Sequence, residues 1–407
     1  MQLKADDSKA PLPALTGARF FAAFAVVVHH YGQGSIRFFA PLLVCAKAGP
    51  AAVSFFYVLS GAVMTWGCTG PDGTPSRPTR KFWAQRAARL LPAYVAALAL
   101  SFLPFVGEEL KHHPGAPGAV RIALGLLASS TLLQAFIIPL AWGLNTPAWS
   151  ISCEAFFYAN WPRLVTALRS ERASFPWGRA VAAWLLGLVV PLLAIVALRA
   201  GIVPAGPYAT LQEDVSGGEL LVRAVSYFPP FRLPEFVLGI VVGHALRRTP
   251  SGPRSLWKDT AREGALLAAL GGAAWAFGSG LGEELTGVAV TGRICIESGA
   301  TSLLFALLVW QLARGDGLGK RLLSRPWLLL LGEASYAMYV LQEPVVVWTT
   351  ATLKRLQPAA MAHWDAIFWL YAAALVLGSV VIHKKWETPL RKLMLRRFTS
   401  AESVAAR

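Results

Sequence analysis

The sequence predicts an all-α fold, a polytopic transmembrane helix bundle of about ten spans with a short re-entrant or interfacial helix near 147–162. Three observations predict it. Hydrophobic residues make up 55% of the chain and charged residues only 15%, where soluble domains carry about a quarter charged. Mean hydropathy is +0.50. Apolar runs approaching the roughly 20 residues that cross a bilayer recur along the whole length. They leave no room for a large soluble domain, so residues 1–400 read as one membrane domain.

Taken in order, the apolar runs are 13–31, 49–67, 90–106, 119–140, 180–200, 222–246, 263–281, 286–313, 327–350 and 365–382. The first follows a mixed-charge start (Lys4, Asp6, Asp7, Lys9) without a small-residue cleavage site, so it reads as a retained span rather than a signal peptide. Arginine and lysine favour cytoplasmic loops. That rule places 68–89, 163–179, 247–262, 314–325 and the tail from Lys384 inside, and the acidic stretches 201–221 and 282–285 outside. Two spans separate 68–89 from residue 141, so 163–179 can be cytoplasmic only if 147–162 does not cross. Ten crossings with both termini cytoplasmic result, and a single failure of the loop rule gives eleven. A bacterial-type inner membrane fits this pattern.

The net charge of +16 does not imply nucleic acid, because the basic residues cluster between apolar runs, where anionic lipid and topology account for them. Cys45, Cys68, Cys153 and Cys295 form no CxxC pair, which excludes a zinc site or disulfide framework on spacing. No metal site is expected. No GxGxxG after a strand, Walker loop or HExxH occurs. Ser60 lacks a glycine two residues before it and is not a nucleophile elbow; Ser60-Gly61 reads as a close helix approach.

Ionisable residues inside spans stand out against this background. Arg19 and His30 are eleven residues apart, three helical turns plus roughly 20°, so they share one face about 16 Å apart. His29 points about 80° away from Arg19. Glu154 sits in an aromatic-flanked apolar segment. Protonated there, it is a proton donor; ionised, it orients His30 or pairs with Arg19; the plain alternative is a helix-start carboxylate. Arg86 and Arg89, three apart at a helix start, form with Arg80 and Lys81 a cluster suited to phosphate, or a positive-inside cluster and nothing more.

The chain resembles the acyltransferase 3 family of integral membrane acyltransferases. The motifs in order are Arg-x10-His after "LTG", "VSFFYVLSGAVM" (53–64), "FWAQRAARLLPAY" (82–94), "NTPAWSISCEAFFYANWP" (145–162), "FRLPEFVLGIVVGH" (231–244), "LGEASYAMYVLQEPV" (331–345) and "WETPLRK" (386–392). Together they cover about 13 to 392. The family often carries His where this chain has Gln342, a departure that leaves open whether Gln342 or the neighbouring Glu343 takes that histidine's place.

The resemblance implies transfer of an acyl group, usually acetyl, from acetyl-CoA or another acyl-CoA to a hydroxyl of a carbohydrate, glycolipid or similar acceptor, with no permanently bound cofactor. A macrolide-type secondary metabolite is an alternative acceptor. His30 is then the general base, or less favourably an acyl carrier. Arg19 and Glu154 assist it. Arg86, Arg89, Lys81 and Arg80 hold CoA phosphates. Trp149, Ser335, Tyr336, Gln342 and Glu387 are expected at the substrate pocket. The competing class is a multi-span permease for an anionic or sugar-like solute. Release of free CoA thiol on adding acceptor separates enzyme from permease.

Overall fold

The computed structural model describes residues 12–36, 46, 49–169, 175–203, 208–210, 214–249 and 254–405. Helix α1 (Pro13–Tyr31) starts at a proline and stops before Gly32. Then come α2 (Ala51–Cys68), α3 (Thr79–His112), α4 (Ala116–Ser130), α5 (Trp149–Ala167), α6 (Trp177–Arg199), α7 (Gly217–Tyr227) and α8 (Pro229–Arg248). The second half comprises α9 (Leu256–Gly278), α10 (Leu281–Thr286), α11 (Thr291–Glu297), α12 (Ser302–Arg314), α13 (Leu318–Leu323), α14 (Pro326–Leu356), α15 (Trp364–Ile382) and α16 (Thr388–Ala405). A π-helical turn, His383–Glu387, joins the last two. Tyr208–Ala209 and Asp214–Val215 form a two-residue antiparallel ladder.

Six stretches are long and apolar enough to cross a membrane, among them α2, α3, α6 and the α7–α8 unit Gly217–Arg248. This is a multi-pass helical membrane protein. On this measure the described residues give six rather than about ten; α1 and α14, interrupted by Arg19, His29, His30, Glu333, Gln342 and Glu343, are not among the six.

Several expected boundaries change. The run 119–140 is not one helix: α4 ends at Ser130, Leu132 takes a left-handed φ of 58°, and two 3-10 turns follow. The run 286–313 breaks between α11 and α12, and 222–246 breaks at Phe228, ahead of Pro229. The span expected at 90–106 belongs to a 34-residue helix that begins at Thr79 and carries the arginine cluster on its first turns. The segment expected as a short helix near 147–162 is a 19-residue helix, Trp149–Ala167, buried along much of its length.

Close glycine contacts hold the centre together. A Cβ on Gly239 would collide with the Val58 carbonyl, and one on Gly61 with the Phe236 carbonyl, so α2 and α8 touch backbone to backbone. Gly239→Val is expected to destabilise the detergent-solubilised protein by about 1–3 kcal/mol or more, read as a lowered Tm. Gly264→Val on α9, where nothing lies within 4 Å of the added Cβ, is the control and should leave Tm nearly unchanged.

Proline inside a helix frees the carbonyl four residues earlier, which lipid cannot satisfy. Three such carbonyls are capped from neighbouring elements. Pro104 frees Leu100, which accepts from Trp348 Nε1 at 2.9 Å. Pro162 frees Tyr158, which accepts from Trp83 Nε1 at 3.0 Å. Pro344 frees Val340, which accepts from Asn145 Nδ2 at 2.9 Å.

Candidate active site

A cavity of about 520 Å³ lies between α1, α2, α3, α5, α14 and α16. Helix α1 contributes Leu15, Thr16 and Arg19, and its N-cap Leu12 extends this stripe of three- and four-residue spacing. Arg86 and Arg89, one turn apart on α3, line it, and Arg391 joins them from α16. Four guanidinium groups thus converge on a cavity whose lining holds one carboxylate, Glu154. That carboxylate accepts from Tyr158 at 3.0 Å and from Ser60 at 3.3 Å. The short serine side chain therefore does more than allow close packing.

Arg89 Nη1 lies 3.7 Å from Glu387, whose other oxygen is 3.1 Å from His383 Nδ1. Arg86 stands over the Phe82 ring at 5.7 Å, and its Nε is buried without a hydrogen-bond partner among the described residues. A buried donor of that kind is costly unless something accepts from it. An anion in the cavity would do so.

Of the residues expected from sequence, Arg19, Glu154, Arg86, Arg89, Ser335 and Tyr336 line this cavity. His30 does not. The α1 stripe continues through Ala23 and Val26, which are 0% and 2% exposed, and His30 emerges exposed beyond them. The upper cavity wall includes Val53, one turn along α2 from Gly49, which packs on the Ala25 carbonyl and His29. His30 is therefore above the end of the cavity rather than on its wall. Its ring makes no hydrogen bond among the described residues, whereas His29 Nδ1 is held by the Ala46 carbonyl at 3.0 Å.

Five other expected residues fall outside the lining. Arg80 is exposed over Phe398 at 5.4 Å, and Lys81 is half-buried beside it. Trp149 packs on Tyr227 at 4.5 Å. Gln342 is fully buried and bonded through Nε2 to the Tyr339 carbonyl at 2.9 Å. Glu387 reaches the site only through Arg89.

Residues 12–383 match the model of an acyltransferase domain, Acyl_transf_3. The chain belongs to the acyltransferase 3 family. It is 29% identical to acyltransferase MdmB of Streptomyces mycarofaciens over 95% of this chain and 93% of that protein. No solved structure matches. Membership makes the protein an acyltransferase of groups other than aminoacyl groups and removes the permease reading.

Three site features escaped the sequence reading. Arg391 stands in the "WETPLRK" motif, which was a usable signal. Tyr158, four residues after Glu154, was marked only by that helical spacing. Arg232 and Glu235, buried at 1% and 3% exposed, pair at 2.6 Å behind the cavity, with Arg232 also held by Ser54 and the Ser226 carbonyl. Their motif was visible, but nothing in its spacing distinguished an ion pair from a helix start.

Proposed function

We propose that this membrane acyltransferase moves an acyl group, acetyl in the simplest case, from acyl-CoA to a hydroxyl of a carbohydrate, glycolipid or similar acceptor. The observation that carries this reading is the convergence of Arg19, Arg86, Arg89 and Arg391 on one cavity beside a single carboxylate. CoA brings several phosphate charges, and guanidinium forks match phosphate oxygens. The same end of the bundle carries the basic loops, so the donor enters from the cytoplasm of a bacterial-type inner membrane, with both termini on that side.

The acceptor hydroxyl attacks the thioester carbonyl carbon, the C–S bond breaks, and the hydroxyl proton passes to the His30 imidazole and on to the departing thiolate. The products are the ester and free CoA. A ring without another hydrogen bond suits that transfer. Its place is about 16 Å along α1 from Arg19, with Ala23 and Val26 packed between them, so the transfer requires that packing to part and admit the pantetheine arm from the arginine cavity. Glu154, fixed by Tyr158 and Ser60, balances the guanidinium charge around the donor.

Arg86→Ala is expected to raise the KM for acetyl-CoA by roughly ten-fold or more, the loss of a charged hydrogen bond, with kcat at saturating donor little changed. Thiol release measured against donor concentration checks this. An unaltered donor KM moves the CoA site elsewhere.

A further inference from the structure

A second cavity, of about 610 Å³, opens at the other end of the same helices. Ser101, Glu108, Glu109 and His112 line it from α3, Leu144 from the turn before α5, and Glu343 from α14. The two cavities lie back to back on α14. Tyr339 lines the first and Glu343 the second, one helical turn or about 6 Å apart. The start of α5 crosses the same partition. Thr146 donates its backbone N–H and its hydroxyl to Glu343, and Ser150 bonds the Tyr339 hydroxyl at 2.8 Å.

The charges of the second cavity are unevenly satisfied. Glu109 is paired with Arg121 at 2.7 Å, and Glu108 with His112 at 2.7 Å and Lys111 at 3.5 Å. Glu343 has only Thr146, and no cation faces it among the described residues. Ser101, 5% exposed, lines the same space, and its buried hydroxyl has no hydrogen-bond partner among the described residues. A half-buried carboxylate and a buried hydroxyl left this way cost free energy that a complementary ligand recovers. This end is also the His30 end. The Tyr371 hydroxyl donates to the Gln342 carbonyl at 2.8 Å, and its ring packs 5.9 Å from that of Tyr31, the neighbour of His30.

We propose that this cavity is the acceptor site, and that it selects a polyhydroxylated acceptor carrying a protonated amine, with the ammonium at Glu343 and a hydroxyl at Ser101. The proposal rests on the acyl-transfer reading, which says only that a hydroxyl compound is needed. The volume lies within the range of small-molecule pockets, roughly 300–1,000 Å³, and accommodates a small glycoside.

The test uses the full chain purified in detergent and two probes of one shape, methyl glucosaminide and methyl glucoside, with binding read by ligand-observed NMR. The amine is expected to bind at least ten-fold tighter than the neutral sugar. Glu343→Gln should erase that preference, and Ser101→Ala should weaken both sugars by about five-fold, one neutral hydrogen bond. Acetyl-CoA binding certifies that each variant is folded. Should Glu343→Gln not fold, the wild-type preference together with Ser101→Ala decides. Equal binding of the two sugars, or a preference that survives Glu343→Gln, overturns the proposal. If acetyl-CoA fails to bind while the amine preference persists, the transfer reading falls and the cation site stands; the converse removes the cation site alone.

Discussion

His30→Ala is expected to lower kcat by about 10²–10⁴-fold, the usual worth of a positioned general base, while the Kd for acetyl-CoA stays at the wild-type value. On the proposed reading the two quantities separate, because arginines about three helical turns away would hold the donor's charged half. His29→Ala is the matched control. Its Nδ1 is already committed to the Ala46 carbonyl, and its ring stands edge-on to His30 at 5.1 Å. Losing that hydrogen bond costs about 1 kcal/mol of stability and leaves kcat within a few-fold. Thiol release at saturating donor and acceptor, paired with a donor-binding isotherm, gives both numbers. Equal kinetic loss from the two alanines would show that the His30 ring has no special part.

Arg232→Met is expected to destabilise the protein by about 3–5 kcal/mol, the range for removing one partner of a buried ion pair. Arg232 is 1% exposed and donates to Glu235, the Ser226 carbonyl and Ser54, and it stands 5.2 Å from the Tyr57 ring. Without it, Glu235 is a buried carboxylate with no counter-charge among the described residues. The double variant Arg232→Met/Glu235→Leu should therefore recover much of the lost Tm, because the orphaned charge is gone. A single variant as stable as wild type, or a double variant worse than both singles, would show that α8 is not organised by this pair.

The sequence carried the helical membrane character, since scarcity of charge and recurring apolar runs leave few other architectures. It carried the arginine cavity in large part: Arg19, Arg86, Arg89 and Glu154 do meet. Boundaries were less legible. The break at Leu132 comes from a left-handed residue in an apolar run, and hydropathy does not see backbone dihedrals. Face periodicity put His30 on the Arg19 stripe, but it could not show that Ala23 and Val26 are packed shut between them. Periodicity reports direction around a helix, whereas cavity limits depend on which neighbouring helix fills each level. Glu387 illustrates the same limit. It was expected at the pocket, yet it acts on Arg89 from behind.

The cap on Leu100 has a consequence for how the protein is made. Trp348 is synthesised 248 residues after the carbonyl it satisfies, whereas the caps on Tyr158 and Val340 come from chain already made. Until translation nears its end, α3 holds a bare backbone oxygen that lipid cannot accommodate. Nascent chains stalled before the fourteenth helix should stay with the insertion machinery or be cleared by membrane proteases, and assembly of the N-terminal half should wait for the late helix to arrive.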